Sequence, residues 1–319
     1  MSKKEKTTQL PSIQAIEHNL QGCNVSSFDL TNMYPSIVLE ESSRNYYNFY
    51  VEDKIFRHAR LAQGWAPALS IAQQAMQYTF RDEALLSFKK DNNLCDELFP
   101  YNSFSQFLQN FVDDICVWTK KSLPNPIETR LWCVKVTFTA LEQAGFLISM
   151  QKSTFLDPVF TFLGLRWNMA DESSCVNNDR IQAIIQHRIP RSLPELGSRL
   201  ATIQYYEKHF PLMKRVSIPL FVLMKSKTFV WLQVHAESYG DLLYLMSLQI
   251  KNHIFDPSKS LILLTDTSAV ESSNLICNWN PHQLTLHLIT TKSTLLTTAL
   301  RNQAPIHRET YGGHQVLAL

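Results

Sequence analysis

No run in the 319-residue sequence approaches the roughly 18 uncharged apolar residues that a membrane-crossing helix requires. The first six residues, Met1 to Lys6, lack the apolar core of a secretory signal. An intracellular location is therefore expected, with no membrane partner. The six cysteines, Cys23, Cys95, Cys116, Cys133, Cys175 and Cys277, are scattered without a C-x-x-C pair, which argues against a zinc site or a disulfide frame and leaves them as reduced packing residues. Net charge is also nearly absent, at +2, and no internal repeat is found.

Apolar material, by contrast, is plentiful. A hydrophobic content of 45% with 11% aromatic residues is enough to build cores for two or three domains. The charge that exists is unevenly spread. Between Arg188 and Lys227, eight Lys/Arg face only Glu195 and Glu207, so this block carries +6 and the rest of the chain −4. A basic block beside an acidic one suits a polyanion held near a metal site, although a solvated helical face would look the same.

Residues 1–24 read as a polar, disordered lead-in. Val25 to Leu39 reads as a strand running into a helix start, and Tyr47 to Val51 with Ile55 to Leu61 as two strands around a Glu-Asp-Lys turn. Pro67 to Tyr78 has helical composition. Ile127 to Gln143 is expected as a helix, with Trp132, Val136 and Ala140 at spacings of four and Gly145 as its C-terminal stop. Phe160 to Trp167 reads as a strand containing Gly164, and Met169 to Asn178 as a polar turn or linker. A helix follows on Ile181, Ile184 and Ile185, and Ser192-Leu193-Pro194-Glu195 opens another as a capping box. Asn252 to Ser260 reads as a second linker before the strands Leu261 to Leu264, Asn274 to Asn278 and Leu284 to Ile289.

The most informative feature is Phe111-Val112-Asp113-Asp114, followed by the apolar run Ile115 to Trp118. Two adjacent carboxylates repel unless a cation lies between them, so a divalent metal is one explanation. A surface hairpin whose turn happens to be Asp-Asp is the other. Asp29, at the end of the apolar strand that leads into Leu30 and Tyr34, is the natural third acid; its competing reading is a helix N-cap.

In their order along the chain these motifs resemble the reverse transcriptase of LTR retrotransposons of the gypsy and retroviral type, followed by the start of a tethered ribonuclease H region. Phe28-Asp29-Leu30 through Ile37 is similar to the first palm motif, Leu61 to Pro67 to the L-P-Q-G motif, and Phe111 to Asp114 to the Y/F-x-D-D motif. Ala144-Gly145-Phe146 with Lys152-Ser153 resembles the next helix-turn-strand, and Phe162-Leu163-Gly164-Leu165 the primer-grip hairpin. Ile181 to Trp231 resembles the thumb and connection, Leu263 to Ser268 the first ribonuclease H strand, and Ile306 to Glu309 a later helix of that domain.

The resemblance implies an α+β fold: a right-hand polymerase palm, with an antiparallel sheet packed on helices, over 25–178, a thumb over 179–252, and a partial ribonuclease H-like α/β domain over 261–319. It implies Asp29, Asp113 and Asp114 as catalytic metal ligands for Mg2+ or Mn2+, with Asp266 and Glu309 as ligands of a second centre. Leu30, Tyr34, Gln63, Gly64 and Lys152 would contact the incoming deoxynucleoside triphosphate. Phe162, Leu163, Gly164, Arg188, Arg199 and Lys208 would hold an RNA or DNA primer-template. A cytoplasmic particle or the nucleus would be its setting.

Departures from the pattern bear on activity. Only 28 residues precede Asp29, where a fingers subdomain is expected; 50 positions separate Gln63 from Asp113, with the polar run Lys89 to Asn93 between them; and Ala62 replaces a usual proline. The ribonuclease H region ends soon after Glu309, with Gly312 and Gly313 inside its expected helix. RNA cleavage is not expected. Two readings of the polymerase stay open: a truncated, weakened RNA-directed DNA polymerase, and an inactive remnant that binds nucleic acid through the basic block.

Overall fold

The computed structural model describes residues 13–46, 48–186, 188–268, 271–308 and 310–311. They fall into two compact units that divide between Leu163 and Gly164. The division comes before the polar stretch 169–178, where the sequence suggests a boundary. The reason is pairing: that stretch contributes a strand to the second unit.

The first unit is built on a four-stranded antiparallel sheet. Its strands are β1 (Cys23–Thr31), β4 (Leu108–Phe111), β5 (Asp114–Lys120) and β6 (Leu147–Ile148), in the order β4-β5-β1-β6. A separate hairpin joins β2 (Asn48–Val51) to β3 (Lys54–Arg57) through Glu52 and Asp53, both at positive φ, and all eight of its strand residues are exposed. In β5, Ile115 to Thr119 are all buried, which needs cover on both faces of the strand. The helix Pro126–Gln143 supplies it from one side, turning Cys133, Val136 and Ala140 inward. Gly145, at φ 77°, ends that helix in the left-handed conformation open to glycine. The strand β7 (Val159–Phe162) packs against β1 and β5.

The helix Ala68–Thr79 buries Ala68, Ala72, Gln73 and Met76 in the same core. The long interval after Gln63 is folded structure: a helix at Asp82–Asp91 with acids in its first turn and lysines in its last, then a loop into β4. Lys89 staples this segment. Its buried ammonium donates to Asp96 Oδ1 at 2.7 Å, Asn102 Oδ1 at 2.9 Å and the carbonyls of Tyr101 and Phe99 at 3.1 and 3.2 Å.

In the second unit β8 (Leu165–Asn168) pairs with β9 (Ser173–Val176), which pairs in turn with β10 (Asn252–His253). Both stretches read from sequence as linkers thus hold strands. Helices Asn178–Ile185 and Leu193–Gln204 follow the expected apolar stripes, and Ile218–Met224 and Gln233–Ser247 are further helices of this unit. Ser192 caps the second of them by accepting from the Glu195 N–H at 3.3 Å, whereas the Glu195 carboxylate returns to the Arg191 N–H at 2.8 Å. A second sheet joins β11 (Leu261–Thr267), β12 (Glu271–Asn280) and β13 (Thr285–Leu295) antiparallel in that order, with a bulge at Ile276/Cys277. Among the described residues no helix is long and apolar enough to cross a membrane.

Candidate active site

Asp29 lies near the C-terminal end of β1 and stands directly opposite Asp114 in the ladder, so the two residues share one face of the sheet. Asp29 is a strand residue and caps no helix. The short helix Met33–Ser36 begins after Asn32 instead. Phe111 pairs with Asp114, leaving Val112 and Asp113 as a two-residue turn. Val112 adopts φ 55°, a region that costs a β-branched residue about 1–3 kcal/mol and persists only where its surroundings impose it. The Leu30 N–H donates to the Asp113 carbonyl at 3.1 Å, which ties the turn to β1.

The charges around this turn belong to one cluster. Lys152 Nζ approaches Asp29 Oδ1 at 3.3 Å. Burial pushes the Asp113 carboxyl above the ordinary aspartate range; its own backbone N–H and Lys152 oppose the rise, and the negative charge of Asp29 adds to it. Burial, with the Asp113 charge next, likewise raises the phenol of Tyr34. Asp29, Asp113, Tyr34 and Lys152, singled out separately in the sequence, are therefore electrostatic neighbours. Among the described residues, however, no three His, Cys, Asp or Glu side chains are arranged to hold a metal ion. Asp29 is instead paired with Lys152. The donor set still suits a hard divalent cation: carboxylate oxygens, with the Asp113 carboxyl raised chiefly by burial and further by the charge of Asp29.

Gln63 and Gly64 are exposed in the loop before the helix Ala68–Thr79; Gly64, at φ 91°, has open space where a Cβ would stand. Backbone conformation, and not a close neighbour, demands glycine there. Of the residues expected at a primer, Phe162 and Leu163 are 1% and 7% exposed, so their side chains are core and only the backbone of the turn is left to offer. Leu163 and Gly164 both have positive φ, and a Cβ on Gly164 would meet the Tyr206 hydroxyl. Phe160 to Trp167 is thus two strands and a turn.

Arg188, Arg191 and Arg199 line one concavity of about 360 Å3 together with Glu195. Within the same block Arg199 Nη1 donates to the Tyr239 hydroxyl at 3.1 Å, and Lys214 pairs with Glu207 at 2.7 Å, so the +6 is partly consumed internally. Lys208 is half-buried, its carbonyl accepting from Asn252 Nδ2 at 2.8 Å. Asp266 is exposed on β11 opposite Ser273, and Glu309 lies outside the described residues, as do Gly312 and Gly313.

Two residues that support the site, Gln73 and Arg130, escaped the sequence reading, and Ser153, quoted only within a motif, gained a contact. Gln73 accepts from the Val112 N–H, Ser153 Oγ accepts from the Asp29 N–H at 3.4 Å, and buried Arg130 donates to Ser26 Oγ at 3.1 Å and to the carbonyls of Val25 and Phe155. The signals were a glutamine in an apolar helix stripe and a Ser-Ser pair inside a buried strand.

Two acids at a hairpin turn, a third across the ladder, and an antiparallel sheet backed by helices define the palm of a nucleic-acid polymerase. The chain belongs to the reverse transcriptase family: the family model for Reverse transcriptase (RNA-dependent DNA polymerase) matches residues 2–167, more than half of the sequence. Its curated relatives include the Transposon Tf2-7 and Tf2-3 polyproteins of Schizosaccharomyces pombe, each 23% identical over 264 residues, which is 82% of this chain and 18% of the relative. The chain thus spans about a fifth of the length of those relatives.

Among solved structures it is similar to a foamy viral protease-reverse transcriptase in complex with RNA/DNA hybrid, with a TM-score of 0.67 and 19% identity, covering 98% of this chain and 39% of that one. A foamy viral protease-reverse transcriptase dRH in complex with double-stranded DNA gives 0.69 and 19%, covering 98% and 50%. At such identities the likeness is one of fold. The retrotransposon resemblance carried by the motifs, and the α+β polymerase fold it implied, are both borne out.

Proposed function

We propose that the chain carries out RNA-directed DNA synthesis, adding deoxynucleotides to a primer on an RNA template. The observation that carries this reading is the mutual electrostatics of Asp29, Asp113 and Lys152 at the Val112-Asp113 turn. Asp29, Asp113, Asp114 and the carbonyl of Leu30 would hold Mg2+ or Mn2+. When bound, such ions supply positive charge that acidifies the primer 3′-hydroxyl and neutralises the leaving pyrophosphate.

The chain's own residues do the rest. Tyr34, beside Asp113, would pack under the incoming sugar and exclude a ribose 2′-hydroxyl. Lys152 would release Asp29 to the metal and turn its ammonium to the leaving pyrophosphate, as charge or proton donor. Gln63 would contact the incoming nucleotide from its exposed loop. The backbone at Leu163-Gly164 would meet the primer, and Arg188, Arg199 and Lys208, with Arg191, would lie against template phosphates, giving salt-sensitive binding. Asp266 is exposed on β11 and its expected partner Glu309 lies outside the described residues, so RNA cleavage is left out of this reading.

Primer extension on an RNA template with Mg2+ or Mn2+, run beside an Asp113→Asn, Asp114→Asn control, tests the proposal. Extension by the unmodified chain alone supports it. Salt-sensitive template binding without extension would replace it with the reading of an inactive nucleic-acid-binding remnant.

A further inference from the structure

Gln73 occupies the helix Ala68–Thr79 beside Ala68, Ala72 and Met76, all buried, and is itself only 2% exposed. An amide so placed in an apolar stripe needs partners. Its Oε1 finds two: the Val112 N–H donates at 2.8 Å and Asn110 Nδ2 at 3.4 Å. Both donors belong to the hairpin that presents the acids. Val112 is the first residue of the turn, 3% exposed and held at φ 55°, and Asp113 follows it directly. On the other side, the Asp113 carbonyl is fixed by the Leu30 N–H at 3.1 Å. The two-residue turn is thus gripped at its first N–H by a side chain and at its last carbonyl by β1.

We infer that Gln73 is a positioning residue of the polymerase reaction, imposing the left-handed turn at Val112 and thereby aiming the Asp113 carboxylate. The inference rests on the polymerase reading for its kinetic consequence and on geometry alone for its structural one. The decisive atom is the oxygen. Methionine matches the length of glutamine without an acceptor, whereas glutamate keeps one in the same place, and burial favours its neutral form.

In primer extension by the full chain, Gln73→Met should lower kcat at least about tenfold while KM for the deoxynucleotide stays within about threefold, and Gln73→Glu should recover kcat to within about threefold of the original, the split expected of an interaction expressed in the transition state. A Gln73→Met enzyme within twofold of the original kcat, or a Gln73→Glu enzyme as impaired as Gln73→Met, overturns the inference. Amide exchange on 15N-valine-labelled protein reads the same contact without activity, so it decides even if the unmodified chain extends nothing. Val112 should be protected in the original and in Gln73→Glu, and exchange at least about tenfold faster in Gln73→Met, with Val117 on β5 unchanged. Unprotected Val112 in the original chain refutes the clamp. Should Val117 also accelerate, the fold itself has loosened. Adding Val112→Gly, which adopts φ 55° unaided, must then restore Val117 protection, and failure to restore it counts against the inference.

Discussion

Asp29 on β1 and Asp266 on β11 each interrupt an apolar strand of an antiparallel sheet, and the two sheets treat them differently. β1 is buried along most of its length, so its acid emerges near the strand end, opposite Asp114, beside the Asp113 turn and 3.3 Å from Lys152. β11 has no buried residue; Asp266 is exposed and faces Ser273. A sheet covered on both faces leaves its acids only the strand ends, and ends of neighbouring strands lie together. The sharpest way to break this contrast is Asp113→Asn. Extension should fall by at least about three orders of magnitude, the scale of losing a residue from a catalytic unit.

The same substitution should raise thermal stability at neutral pH. The folded pKa of Asp113 is raised above the ordinary 3.8, so between those values the folded state keeps a proton the unfolded chain has lost. Stability therefore falls as pH rises through that window, and the cost persists above it. Asparagine removes the charge and the cost. A melting temperature lowered by Asp113→Asn at pH 7 would show that burial does not penalise the Asp113 charge.

Buried ionisable groups make the second contrast. Lys89 in the first unit has four acceptors around its ammonium, whereas both ring nitrogens of fully buried His209 in the second unit lack partners. Lys89→Met should cost about 3 kcal/mol in chemical denaturation by breaking a buried network; a loss under about 1 kcal/mol would make the staple decorative. His209 responds to acid. Burial, aided by Lys208, pushes its pKa down from 6.5 to about 3, so the unfolded chain takes up a proton below pH 6.5 that the folded state refuses. Stability is lost as pH falls from 6.5 toward 3, by about 2 kcal/mol at pH 5. Denaturation at pH 7 and pH 5 should show that loss in the original chain and not in His209→Phe; an equal loss in both would assign acid sensitivity elsewhere.

What the sequence made legible follows the same division. The acids, their order, Gly145 and the Ser192 cap were readable because each is a local requirement: a carboxylate needs a cation, a helix end needs a left-handed residue or a cap. β9 was not, because Ser173-Ser174-Cys175-Val176 has weak strand character of its own and is a strand through pairing with β8 and β10. The helix Asp82–Asp91 hid in a polar run whose charges cap its two ends. Gln73 and Arg130 carry no local signal of their targets, since the backbone groups they hold lie 39 and 105 residues away in the chain. The side chains of Phe162 and Leu163, expected at a primer, are buried for a related reason: their apolar character is spent on the core.

The smallest effect sharpens the opening contrast from its quiet side. Asp266→Asn alters an exposed side chain on a strand without buried residues, and among the described residues it belongs to no group of three His, Cys, Asp or Glu able to hold a metal. Its charge is solvated, so removing it should change unfolding free energy by less than about 0.5 kcal/mol and leave extension within about twofold. RNA degradation in an RNA/DNA hybrid should be no lower than in the unmodified chain. A measurable hybrid-cleaving activity that disappears with Asp266→Asn would mean that β11 does assemble a second acidic centre, and that exposure on an open sheet is no bar to building one.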